Sequence, residues 1–213
     1  MEEAVRPLRE YSCSFRKTEW KGRPLPTQEM FLKVRENPRA VYILWTGEAK
    51  RGQEVLWSPG RDGGKLLVHP GGGLSFVRLS LDPQSSRAMA ESRHPVSETG
   101  FRFLLSLLKR DYERALRTGG AGVRVIDRGY ADVEGQRSRV LEIEFPKDRD
   151  PSYYARRAVL SQNAATGLPS RLQVWDREDG EIRLVEDYTY WNVRENPGFA
   201  EADFRPDNPE YRF

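Results

Sequence analysis

The chain has few of the residues from which reactive and metal-binding sites are built. Among its 213 residues there is one cysteine, Cys13, and two histidines, His69 and His94. A single cysteine excludes an intramolecular disulfide framework and any zinc site built on cysteines. Its setting, between Tyr11 and Phe15, puts Tyr11, Cys13 and Phe15 on one face of a strand and marks the thiol as a small buried hydrophobe. No apolar run approaches the ~18 residues of a membrane span. Nor does a charged-then-apolar leader open the chain. Met1 is followed at once by Glu2 and Glu3, a start that fits either a cytosolic protein or one whose leader has been removed. Charge of one sign is also lacking. The 35 basic and 32 acidic residues leave a net charge of +3, with the arginines scattered, which argues against nucleic acid as a partner.

Catalytic signatures are absent as well. No serine sits in a Gly-x-Ser-x-Gly elbow, and neither histidine has a second ligand at metal-binding spacing, although Asp82 or Glu98 could in principle join them. Both histidines precede a proline (Pro70 and Pro95), which pushes them toward extended backbone at the edges of elements. The glycine run Gly71 to Gly73 lacks the Gly-Lys-Ser/Thr of a phosphate loop and precedes an alternating segment, so it reads as a turn. Glu142 and Glu144 share a strand face, where a solvated charged surface is the ordinary outcome. The sequence therefore implies no cofactor, no metal and no enzyme.

What is present is alternation. After a polar start with a possible helical turn over 2–9, period-two patterns predict strands over 10–21, 27–36, 40–46, 53–57, 65–69 and 74–81. A second set is predicted over 122–132, 136–145, 154–163, 171–176 and 181–191. Asn37-Pro38, Asp62-Gly63, Glu134-Gly135, Thr166-Gly167 and Asp179-Gly180 fall between them and predict antiparallel hairpins. Several strands are apolar on both sides. Val41, Ile43 and Trp45 oppose Tyr42 and Leu44, while Ile182, Leu184, Tyr188 and Tyr190 oppose Val185 and Trp191. Between the two sets lies one helix, predicted over 99–118 and ended by Gly119-Gly120. Its stripe of Phe101, Leu104, Leu105, Leu108, Tyr112 and Leu116, widened by Phe103 and Leu107, is broad enough to pack on the concave side of a sheet. The expectation is that Leu104, Leu105 and Leu108 are nearly fully buried, with Arg110, Glu113 and Arg117 in solvent.

The fold class expected is α+β, mainly antiparallel β. It is an unclosed, curled barrel with the helix covering its concave face, in a single domain (residues 1–213, core Tyr11 to Phe213, 1–9 an extension). A sheet this long must curl to avoid bare edges, and a curled sheet with an inserted helix encloses apolar volume. Strand aromatics such as Trp45 and Trp57 are then either core or the wall of a pocket. The segment Arg93 to Glu98 admits two readings. Ser97 or Thr99 could cap the helix, with Glu98 complementing its dipole; alternatively Arg93 and His94 sit at a cavity mouth facing a ligand headgroup.

Several spaced residues carry a family resemblance. They are Tyr11, Cys13, Phe15, Lys17 and Glu19; then Gln28, Met30, Leu32, Lys33, Val34 and Arg35; then Gly52, Glu54 and Leu56. Leu79, Leu81, Asp82 and Pro83, followed by Arg93, His94, Pro95, Val96, Glu98 and Gly100, extend the set. Together they resemble the bacterial envelope proteins grouped as DUF1571. More remotely, the strand meander, the central helix, the second strand set and the ending through Phe204 and Tyr211 are similar to the LolA/LolB lipoprotein-carrier superfamily. That resemblance implies an incomplete antiparallel barrel holding a hydrophobic cavity, a lipid, acyl chain or lipoprotein as partner, and a periplasmic or cell-envelope location. The chain departs from the carriers in having one substantial helix. Read through the resemblance, Trp45, Trp57, Arg93, His94, Phe101 and Leu105 become the candidate ligand-binding residues. Three functions are weighed: a non-catalytic carrier or sensor of a hydrophobic ligand; a structural or interaction module whose core Phe101, Leu105 and Leu108 fill; and an enzyme using Arg93, His94 or Glu98.

Overall fold

A computed structural model of the chain describes residues 1–72, 77–117 and 119–213. Its elements are helix α1 (Glu2–Val5), strands β1 (Glu10–Glu19), β2 (Gln28–Glu36), β3 (Arg39–Trp45), β4 (Glu54–Trp57), β5 (Leu66–His69) and β6 (Leu79–Leu81). Helix α2 (Phe101–Arg117) follows, then β7 (Arg124–Val133), β8 (Gln136–Glu144), β9 (Arg157–Asn163), β10 (Pro169–Glu178) and β11 (Glu181–Glu195). The eleven strands form one sheet in the order β6-β5-β4-β3-β2-β1-β11-β10-β9-β8-β7. Its two ends, β6 and β7, do not pair with each other, so the sheet does not close. The expected mainly antiparallel α+β fold is the one observed, and each strand predicted from alternation has a counterpart. Of the segment 74–81, residues 74–76 lie outside the described residues, as does Thr118 at the end of the helix.

Turn chemistry works as the sequence implies. Glu134 and Gly135 take φ of 51° and 73°, and Asp179 and Gly180 take 52° and 84°. Two consecutive left-handed residues match the right-handed twist of the β7–β8 and β10–β11 hairpins. Gly71 has a different reason to be glycine: a Cβ there would lie 2.6 Å from the Gln53 backbone nitrogen. Gly71 is thus closely packed beside the strand that opens with Glu54.

The chain divides into two compact units. One comprises Pro7–Lys17, Leu25–Thr99 and Asn192–Phe213 and carries most of β1 and all of β2 to β6; the other comprises Met1–Arg6, Thr18–Pro24 and Gly100–Trp191.

In the first unit, register aligns Tyr11 with Val34, Cys13 with Leu32, Phe15 with Met30 and Lys17 with Gln28 across β1 and β2. Val34 then meets Val41, Leu32 meets Ile43 and Met30 meets Trp45 across β2 and β3. These residues share the inner face. Tyr11, Cys13, Leu32, Val34 and Val41 are fully buried, and burial pushes the Cys13 thiol far above the ordinary thiol range. That thiol is inert packing. The outer face is apolar too, as the double-sided alternation of β3 requires. Ala40, Tyr42, Leu56 and Leu67 form a cluster with Phe204, and Phe199, Tyr211 and Phe213 pack against it. The C-terminal segment therefore covers this face. Tyr211 stacks on Tyr42 with ring centroids 4.0 Å apart, and Lys33 Nζ donates to Asp203 at 2.5 Å. The backbone N–H of Arg212 donates to Glu54 at 3.2 Å.

In the second unit, α2 shares a groove with Ile143 of β8 and Leu160 of β9. Phe101 is buried against Tyr190 at 5.0 Å, and Asp111, also buried, accepts a 2.7 Å hydrogen bond from the Tyr154 backbone N–H. Gly120 N–H donates to Ala115 O at 2.7 Å, with Gly119 and Gly120 both left-handed, the helix stop that the glycine pair predicts. Arg110, Glu113 and Arg117 are exposed and Leu104 is buried, as the stripe implies. Leu105 and Leu108 are only half-buried, and Tyr112 and Leu116 are 59% and 60% exposed. The apolar stripe is broader than the surface that covers it. A second departure lies in β11. Val174 pairs with Glu186 and Trp175 with Leu184, leaving Val185 bulged. The bulge breaks the alternation, so Ile182 and Leu184 are exposed whereas Val185 and Glu186 are both buried.

Candidate functional site: an apolar cavity with a charged end

The inner face of the first unit is packed solid at the Tyr11–Val34 row and opens toward the Phe15 and Lys17 rows. There a cavity of about 460 Å³ is walled by Phe15, Met30, Ile43, Trp45, Val55 and Val68. Leu66, Leu79 and Leu81 continue the wall along the β5–β6 edge. Its other side is the irregular segment 82–99, which contributes Ala88, Ala90, Ser92, His94, Val96 and Thr99. Ala88, Ala90, Ser92 and Thr99 are short, and two prolines, Pro83 and Pro95, keep the segment from forming one continuous helix. A cover of this kind spans a sheet without filling it.

Local hydrogen bonds hold the cover in shape and tie it to the sheet. Asp82 accepts from the Gln84 N–H at 2.7 Å, and the Ser85 hydroxyl donates to Asp82 O at 2.7 Å. Lys17 Nζ donates to Ser92 Oγ at 2.8 Å and to Glu91 O at 3.3 Å. Lys50 Nζ lies 2.6 Å from Glu91 Oε2. Arg39 donates to the Thr99 carbonyl. His94 Nδ1 lies 3.2 Å from Glu98 Oε2, so Glu98 engages His94. Inside the cavity Trp45 Nε1 donates to Gln28 Oε1 at 2.9 Å. Lys50 Nζ sits 6.0 Å from the Trp45 ring centre, within cation–π range.

The structure brings two of the sequence-derived candidates together: Trp45 and His94 both line this cavity. Trp57 is on the same inner face, paired with Val41, but its indole N–H donates to Gly64 O at 3.0 Å and it is not part of the cavity wall. Arg93 is half-buried next to His94 and outside the wall. Phe101 is core of the other unit. Leu105 lines a separate groove of about 470 Å³, with Leu108, Tyr112, Ile143, Leu160 and Val5. The expected cavity under α2 is thus this shallow groove, while the more enclosed apolar volume lies under segment 82–99. Periodicity identifies an apolar face but not which segment lies over it.

Lys17, Gln28, Lys50, Arg87 and Glu91 also line the cavity and were not singled out from the sequence. A signal for two of them was present. Lys17 ends the buried Tyr11, Cys13, Phe15 face, and Gln28 begins the Met30, Leu32, Val34 face. A polar residue continuing an apolar strand face is a mark of a pocket wall. Among the described residues no cluster of His, Cys, Asp and Glu is suited to a metal ion.

The described residues thus form an unclosed antiparallel sheet, with a cavity under segment 82–99 in one unit and helix α2 in the other. Residues 8–213 match the family model described as a protein of unknown function, DUF1571, and the chain belongs to that family. Among solved structures it is similar to the lipoprotein LppX of Mycobacterium tuberculosis, at 17% identity and a TM-score of 0.50, with 93% of this chain and 92% of that chain covered. It is also similar to LprF of Mycobacterium bovis, at 11% identity and TM-score 0.45, covering 90% and 88%. A LolA superfamily protein of Nitrosomonas europaea aligns at 14% identity and TM-score 0.34, covering 95% and 94%. No curated protein matches the chain.

Proposed function

We propose that this protein is a non-catalytic carrier or sensor of the bacterial cell envelope that holds one hydrophobic chain in the cavity between β1–β6 and segment 82–99. The observation that carries this reading is the cavity itself: about 460 Å³, inside the range of ligand pockets, apolar along the β4–β6 wall and bounded by the irregular segment 82–99. A pocket of this size, apolar along most of its wall, has room for a hydrocarbon chain. LppX, whose fold the chain shares, is a lipoprotein, which supports the envelope setting. Among the described residues no helix is long and apolar enough to cross a membrane, so the association proposed is peripheral. The family model reaches across both compact units, which supports treating the chain as one functional domain. At the cavity rim the Ser92 hydroxyl donates to the His94 carbonyl at 2.7 Å, an arrangement that holds the loop and supports a binding role over a nucleophilic one.

The test is displacement of a fluorescent fatty-acid probe. Ile43→Trp fills the cavity and is expected to abolish binding, whereas Leu105→Trp, in the α2 groove, is expected to leave it unchanged. The reverse pattern would move the site to the groove. No binding by the wild-type protein would favour an interaction module without a ligand.

A further inference from the structure

The cavity is polar at one end only, and the polar groups there converge. Lys17 and Gln28 face each other across β1 and β2. The Gln28 oxygen is taken by the Trp45 indole, and Lys50 lies over the Trp45 ring. Lys17 and Lys50 both reach Glu91, one at its carbonyl and one at its carboxylate. Gln28 is 2% exposed and its amide nitrogen has no acceptor among the described residues. An amide N–H₂ that lines a cavity and has no protein acceptor is placed to donate to a ligand oxygen. Arg87 also lines the cavity and has no carboxylate partner among the described residues. Three cations, Lys17, Lys50 and Arg87, thus stand against one carboxylate, Glu91, in the lining.

We infer that the ligand is a single-chain amphiphile with an anionic, oxygen-bearing head, its tail along Val55, Val68 and Leu79 and its head between Lys17, Gln28 and Lys50. This rests on the hydrophobic-chain reading above and adds the chemistry of the head. Glu91 then acts as the internal counter-ion of Lys50 and is exchanged for the ligand's own anion. Such a head would make charge-assisted hydrogen bonds to both lysines and accept from the Gln28 amide. A neutral ester or alcohol of the same chain would bury the tail equally and leave the lysines with Glu91.

Four probes of equal chain length, kept below their micelle concentrations, test this on the full chain by calorimetric titration: hexadecanoate, hexadecyl phosphate, methyl hexadecanoate and hexadecanol. The two anions are expected to bind at least about tenfold more tightly than the two neutral probes, the size of one hydrogen bond to a charged group. Their relative rank then tells a carboxylate head from a phosphate head. Lys50→Gln and Arg87→Gln, both at exposed positions, are expected to narrow the anion preference and leave the neutral probes unaffected. Glu91→Gln is expected to tighten the anions. Equal binding of all four probes overturns the anionic-head assignment and leaves the hydrophobic cavity standing. Failure of all four to bind overturns the cavity reading itself.

Discussion

The two compact units use the same material, an antiparallel meander with apolar alternation, and cover it differently. In the unit of β1–β6 every residue of β4 and β5 is buried, because the C-terminal segment lies on one face and segment 82–99 on the other. In the unit of β7–β11, β7 has a single buried residue, Val133, and Val125 and Tyr130 are more than half exposed. The covers differ in kind as well. Helix α2 buries Phe101, Leu104, Asp111 and Ala115, since a helix offers side chains at close, regular spacing along one face. Segment 82–99 offers Ala88, Ala90 and Ser92 from an irregular backbone, and a volume remains. Beside the helix only a shallow groove is left, at Leu105 and Leu108, whereas the irregular strap leaves a more enclosed cavity, which is why the candidate site lies in the unit without α2.

The sharpest way to break this contrast is at the C-terminal cover. Phe204 is 1% exposed, and Phe204→Ala is expected to cost about 3–5 kcal/mol in denaturant unfolding. A loss under about 1 kcal/mol, the scale of an ordinary surface change, would mean that this segment does not hold the outer face. Under α2, Leu104→Ala is expected to cost about 2–5 kcal/mol, and the half-buried Leu108 less, reversing the expectation from periodicity that the two are equivalent.

Asp111 sharpens the comparison through pH. Burial raises its pKa, against the lowering effects of the Tyr154 N–H and Arg110. An acid with a raised folded-state pKa adds stability that is fully present below its unfolded pKa and lost as pH rises through the folded value. Asp111→Ala removes the acceptor for Tyr154 and is expected to cost about 1–3 kcal/mol. Asp111→Asn keeps an acceptor, and its unfolding free energy is expected to lack the wild-type decline on raising pH from about 4 upward.

The C-terminal cover has an alkaline limit by the same logic. Burial and the nearby Glu54 push the Tyr42 phenol up, and burial raises Tyr211. Burial lowers Lys33, but its bonds to Asp203 and Tyr211 outweigh that and leave it raised. All three groups bind protons more tightly folded than unfolded, so stability is expected to fall as pH rises above about 10. Melting curves of Tyr42→Phe should show a smaller alkaline loss than wild type. The smallest effect is expected at Leu116, 60% exposed: Leu116→Ala should change stability by no more than about 0.5 kcal/mol.

Much of this architecture was legible in the chain itself. Alternation and turn residues place eleven strands, and left-handed glycines place the end of the helix, because these are local preferences of backbone and side chain. The two-sided apolar pattern of β3 was read from the sequence, but the segments that cover its two sides, the C-terminal stretch and segment 82–99, were not. The bulge at Val185 was not legible, since one extra residue leaves no mark on composition and inverts the alternation beyond it. Nor were the cavity's charged residues found as a group. Lys17 and Gln28 each end an apolar face in separate strands, and only antiparallel register sets them opposite one another. Lys50 and Glu91 meet across a loop and a strap 41 residues apart (91 − 50).

By itself the sequence determined the class of fold, the strand inventory, the apolar faces and the absence of metal-binding and nucleophile motifs. Each of these follows from periodicity or residue type within a short window. Tertiary structure alone decided that segment 82–99 covers the inner face of β4 and β5, that the space beneath it is more enclosed than the groove beside α2, and that two lysines and a buried amide share one end of that space. Those outcomes depend on non-local contacts, whose geometry comes from the packing of the whole chain and not from any one stretch of it.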